Sequence, residues 1–173
     1  EAGADTKGLK FSFHGPAHIE GERAYLSYGD GGGIILDVSD LAQPKLVSQL
    51  AFRGITATQG IHTYLPLPRR KLALINDEAI RENGDENLNL AGIVDISDEQ
   101  NPRVVGTFKP DVNKPENCAA NLATDTDGSM IHYLGFDDRN NMRLTIYAGA
   151  NYGIRVVDWR DPTQPKEIAY YKK

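Results

Sequence analysis

One pattern occurs three times and constrains this chain more than anything else in it. Gly33-Ile34-Ile35-Leu36-Asp37-Val38-Ser39-Asp40 runs on to Pro44-Lys45-Leu46-Val47. Gly92-Ile93-Val94-Asp95-Ile96-Ser97-Asp98 runs on to Pro102-Arg103-Val104-Val105, and Gly153-Ile154-Arg155-Val156-Val157-Asp158-Trp159-Arg160-Asp161 runs on to Pro165-Lys166-Glu167-Ile168. The spacing D-x-x-D-x-x-x-P is the same each time, and the leading aspartates Asp37, Asp95 and Asp158 are 58 and 63 residues apart. A period of that length suits a unit of four short strands and their turns better than a two-helix repeat of roughly 34 to 47 residues.

Each copy reads as a strand, a turn and an edge. A glycine opens a β-branched run of strand length, an Asp closes it, and the second Asp is placed to accept hydrogen bonds from the turn's backbone amides. The proline has no N–H to give to a ladder, so it belongs at the start of an outer strand, where the Lys or Arg after it also discourages pairing with another sheet. Upstream lie a second apolar run in each unit (Arg23 to Tyr28, Lys71 to Asn76, Arg143 to Ala148) and a candidate innermost strand (Phe13 to Ile19, Ile61 to Leu67, a stretch within Ala119 to Leu134). Gly29-Asp30-Gly31-Gly32, Leu67-Pro68 and Asp127-Gly128 supply turn signals between the runs, and no helical periodicity of useful length competes. The expected fold is all-β, with three four-stranded antiparallel sheets standing as β-propeller blades over residues 11–52, 61–110 and 118–173 of one incomplete domain.

Ile34 to Asp40, Ile93 to Asp98 and, with Trp159-Arg160 in place of an aliphatic residue and serine, Val156 to Pro162 resemble the repeat of the LVIVD family of propeller proteins. The resemblance spans most of the chain. It implies the propeller fold and, often, an exported protein, so a periplasmic or extracellular location is expected, with the cytoplasm left open; it implies no particular chemistry. Closed propellers use roughly four to eight blades, so the leading expectation for a three-blade chain is a piece of a longer polypeptide. The alternatives are a ring completed by further copies, most simply two, or an open array of sheets.

Charge and composition narrow the partners. Twenty-four acidic against 19 basic residues give a net charge of -5 with no Lys/Arg cluster, which disfavours nucleic acid and anionic membranes as partners. No apolar run approaches the roughly 18 residues of a membrane-spanning helix. The single cysteine, Cys118, excludes an intrachain disulfide and any multi-cysteine metal site.

Ligands of propellers collect where the inner strands converge, so the histidines are the first site candidates. His14 and His62 are the candidate ligands for a transition metal such as copper, zinc or iron, held through imidazole nitrogens. His18, Glu78 and His132 are candidate ligand-binding residues; Glu78 ends a strand where its carboxylate would face the channel mouth. Asp125-Thr126-Asp127-Gly128 lacks the later oxygen donors of a calcium loop, and the glycine-rich Gly29 to Gly33 opens no helix that would cradle a phosphate. Two functional classes follow. One is a binding or scaffold propeller whose partner is another protein or further copies of itself, with Tyr25, Tyr28, Tyr147 and Tyr152 placed near turns to serve an interface. The other is a metal-dependent oxidoreductase or hydrolase with histidines around the axis.

Overall fold

The computed structural model describes residues 13, 15–29, 31–51, 61–77, 91–111, 114, 116–117, 133–149 and 153–172. Twelve strands lie in them, arranged as three sheets of four. The first holds β1 (His18–Glu20), β2 (Arg23–Ser27), β3 (Gly33–Asp37) and β4 (Lys45–Leu50). The second holds β5 (Ile61–Leu67), β6 (Leu72–Asp77), β7 (Ala91–Asp95) and β8 (Arg103–Phe108), and the third β9 (Tyr133–Phe136), β10 (Leu144–Gly149), β11 (Gly153–Asp158) and β12 (Lys166–Tyr171). Each sheet is an antiparallel meander in chain order, which is the expected arrangement and is consistent with propeller blades. Among the described residues no helix is long and apolar enough to cross a membrane.

The repeat is reproduced down to single hydrogen bonds. Asp37, Asp95 and Asp158 each accept the amide two residues on, at 2.9 Å, from Ser39, Ser97 and Arg160. Asp40, Asp98 and Asp161 do the same for Ala42, Gln100 and Thr163 at 2.9 to 3.0 Å. These bonds satisfy amides that the tight turn would otherwise leave bare, which is why the two acids must be three residues apart. Pro44, Pro102 and Pro165 fall immediately before the edge strands β4, β8 and β12. A bulge sits at the same place in each outer pair, leaving Val47, Val105 and Ile168 without a direct partner.

Two expectations about the inner strands need correction. β1 begins at His18, not near Phe13, because Gly15 has a positive φ of 76° and Pro16 lacks an amide to enter a ladder. β9 runs Tyr133–Phe136, at and beyond the end of the stretch expected to contain it. The tyrosines are also placed differently. Tyr25 and Tyr147 are buried in the strands between sheets, Tyr28 is half-buried, and Tyr152 lies outside the described residues. Their rings serve contacts within the molecule because each points from a central strand onto the neighbouring sheet.

Two apolar cores hold the three sheets together. Tyr25, Ile35 and Leu50 of the first sheet pack on Ile61, Tyr64, Ala73, Ile75 and Val94 of the second. The opposite face of the second sheet, with Leu65, Leu72, Leu74, Ile93 and Phe108, packs on Tyr147, Val157 and Trp159 of the third. The middle sheet is therefore buried on both faces, and its strands read as continuous apolar runs with little alternation.

Candidate functional site at the convergence of the inner strands

The first strand of every sheet reaches one cavity of about 380 Å³. Pro16 and His18 come from the first sheet and the segment leading into it, His62, Thr63 and Leu65 from β5, and Leu134, Phe136 and Arg139 from β9 and the turn after it. Strand register explains the convergence. His18 pairs with Tyr25 as Leu65 pairs with Leu74 and Gly135 with Ile146, so the three residues are equivalent positions in their sheets. The first sheet places an imidazole where the others have a leucine and a glycine.

Gly15 is needed for this geometry. A Cβ there would lie 2.0 Å from the His62 carbonyl oxygen, so only glycine allows the segment before β1 to lie against β5 beside the cavity. On the far side, Asp137 holds the β9–β10 turn by accepting the amides of Arg143 at 2.9 Å and Leu144 at 3.0 Å. That turn carries Arg139, whose guanidinium reaches Glu20 of β1 at 3.4 Å, so the first and third sheets meet at the rim of the cavity.

The walls are apolar, through Pro16, Leu65, Leu134 and Phe136, and the polar points are few. His18 Nε2 is buried without a hydrogen-bond partner among the described residues. Burial, reinforced by the positive charge of Arg139, pushes the His18 pKa below its ordinary 6.5 and so favours the neutral ring. His62 Nδ1 lies 3.2 Å from the Thr63 hydroxyl. A neutral imidazole nitrogen, a guanidinium and a hydroxyl on apolar walls are suited to holding a small molecule with one acceptor-rich end and a hydrocarbon body.

Of the residues singled out from sequence, His18 and His62 lie together on this cavity, while His14, Glu78, His132 and Cys118 fall outside the described residues. Among the described residues no three His, Cys, Asp or Glu side chains are grouped as a metal would need. Arg139 and Phe136 were not anticipated. Arg139 sits in the polar stretch Asp137 to Met142, directly after β9, and its place on the cavity follows from that turn meeting β1 of another sheet.

A larger cleft of about 460 Å³ between the first two sheets, on the side of the D-x-x-D turns, is a different kind of place. Its polar groups bind one another: Glu99 accepts the Tyr25 hydroxyl at 2.5 Å and Arg23 Nε at 2.8 Å, and Arg23 also reaches Asp37 at 3.2 Å. That network pins two sheets together.

In comparison with known families, the LVIVD repeat model fits residues 18–51, the whole of β1 to β4. No curated protein matches the chain.

Proposed function

We propose that this chain, which carries an LVIVD repeat over residues 18–51, is a β-propeller-like binding module that holds a small carboxylate-bearing molecule in the cavity between its inner strands. The observation that carries the reading is His18 Nε2, buried and without a hydrogen-bond partner among the described residues, on a largely apolar cavity that three separate sheets build together. A ligand acceptor there satisfies a polar atom that no described residue satisfies, and Arg139 offers the charged fork that carboxylates favour. Leu65, Leu134 and Phe136 would cover the hydrocarbon part.

A thermal-shift screen of short aliphatic and aromatic carboxylates tests this. A true ligand at about 100 times its Kd stabilises the fold by about 2.7 kcal/mol. His18→Leu and Arg139→Met should each weaken binding by about 10-fold, the loss of one good hydrogen bond. If every hit binds both variants as well as the parent, the cavity is not the site.

A further inference from the structure

The same docking arrangement is used twice in this molecule and left open at both ends. One row of paired residues across the three central positions of each sheet forms the leading face: Tyr25, Ile35 and Ser48 in the first, Leu74, Ile93 and Gly106 in the second, Ile146, Val156 and Ala169 in the third. In the first two sheets this row is buried against the next sheet. In the third, Ile146 is 46% exposed, and so are its apolar neighbours Ile154 at 42% and Tyr171 at 62%, although their equivalents Ala91 and Phe108 are buried.

The trailing face shows the converse. Val94 and Val104 of the second sheet pack back onto the first, yet the equivalent residues of the first sheet, Leu36 and Leu46, are half-buried and 64% exposed. The residue after the second Asp of the repeat gives an independent sign. Glu99 reaches back to Arg23 and Tyr25, and the Pro162 carbonyl lies where a Cβ on Gly106 would be, 1.8 Å away. Its equivalent in the first sheet, Leu41, is 80% exposed and apolar.

We propose that these two faces are the halves of one interface between two copies of the chain. The leading face of the third sheet in one copy takes the trailing face of the first sheet in the second, with Leu41 reaching over the third sheet as Glu99 reaches over the first. The argument is continuity: the missing contact is the next step of a series whose first two steps the structure contains, and this chain owns both surfaces. Two copies give six sheets, within the roughly four to eight that close a propeller, and closure by a two-fold axis covers every face that a head-to-tail contact would otherwise leave free to extend. This inference does not depend on what the axial cavity binds.

Analytical ultracentrifugation of the chain tests it. The expected species has twice the chain's mass and dissociates on dilution. Leu41→Glu and Ile154→Glu, at exposed positions on opposite halves, should each weaken association by about 10-fold or more. Mixing the two variants should restore association in part, because one of the ring's two contacts then joins two unaltered halves. Circular dichroism and melting confirm that both variants are folded; if Ile154→Glu is not, Tyr171→Ser probes the same half. A chain that stays monomeric at every concentration overturns the proposal. So does a Leu41→Glu variant that associates like the parent, since that would mean two third sheets pairing with each other.

Discussion

Between the first and second sheets Tyr25 meets Tyr64 edge to face, with ring centroids 5.5 Å apart; between the second and third Phe108 stacks on Tyr147 at 6.1 Å. The two seams are built from equivalent rows and are closed by different chemistry. At the rim of the first, Glu99 bridges Arg23 and Tyr25. At the rim of the second, the backbone of Pro162 lies directly on Gly106, Trp159 is fully buried with its indole N–H on the Thr145 hydroxyl at 2.8 Å, and Arg70 donates to the Met142 and Trp159 carbonyls at 2.6 and 3.1 Å. The aliphatic rows are interchangeable in kind; the rim residues are not. A turn carrying Glu99 would strand its charge over Gly106, and one carrying Pro162 would leave Arg23 without its partner, so the rims fix the order of the sheets.

The largest effect should come from the second seam. Trp159→Ala removes a fully buried indole and strands the Thr145 hydroxyl, and should cost about 3–5 kcal/mol in urea unfolding. Val38→Ala, at the equivalent turn position of the first sheet, is half-buried and should cost far less. Gly106→Ala comes next: its methyl would collide with the Pro162 carbonyl, a backbone atom that cannot swing aside, at about 1–3 kcal/mol. The matching change in the first seam is Ser48→Ala. Ser48 is buried with no hydroxyl partner among the described residues, so this substitution should be neutral or slightly stabilising. Equal costs for Gly106→Ala and Ser48→Ala would break the distinction between the seams.

Glu99→Ala probes the polar rim. It leaves Tyr25 without its acceptor and Arg23 without its nearest charge, and about 1–2 kcal/mol is expected, because both charged side chains keep about a third of their surface in water. A cycle with Tyr25→Phe should show about 1 kcal/mol of coupling. Additive costs would mean the bridge is solvated and the first seam is held by its apolar rows alone.

Most of the architecture was legible because it is local. The D-x-x-D spacing, the leading glycine and the proline before a basic residue encode a strand, an Asx turn and an edge strand within a dozen residues, and all three copies fold that way. The inner strands were harder to place, since β1 and β9 are only 3 and 4 residues long and their pattern is interrupted by Gly15, Pro16 and Gly135. Histidines on inner strands could be read from the sequence, but Arg139 could not, because its role depends on the β9–β10 turn meeting β1 from another sheet. Burial of Tyr25 and Tyr147 was missed for a related reason: the sheet that covers each ring belongs to another repeat, so an aromatic near a turn looks like a surface residue.

The smallest expected effect separates the inner end of the first sheet from the outer turns shared by all three. His18 has no counterpart in the other sheets, where its position is Leu65 and Gly135. The groups around it are His62, Arg139 and Glu20, and burial together with Arg139 holds its pKa below 6.5 in the folded chain. The unfolded chain therefore binds a proton at His18 more readily, so stability at this site is complete above pH 6.5 and falls as the pH drops below it. The turn acids act in a lower window. Asp37, Asp95 and Asp158 are held below 3.8 by bonds from the side chain and amide of Ser39, Ser97 and Arg160, so their contribution is intact above pH 3.8 and is lost as the pH falls through their folded values. Unfolding measured from pH 7.5 to 3 should show two separate declines. His18→Gln should flatten the upper one and leave the lower one, and proton-detected titration of the His18 ring should give a midpoint below 6.5. If His18→Gln leaves the upper decline unchanged, the imidazole is solvated, and the difference between the inner end of the first sheet and its neighbours is one of shape alone.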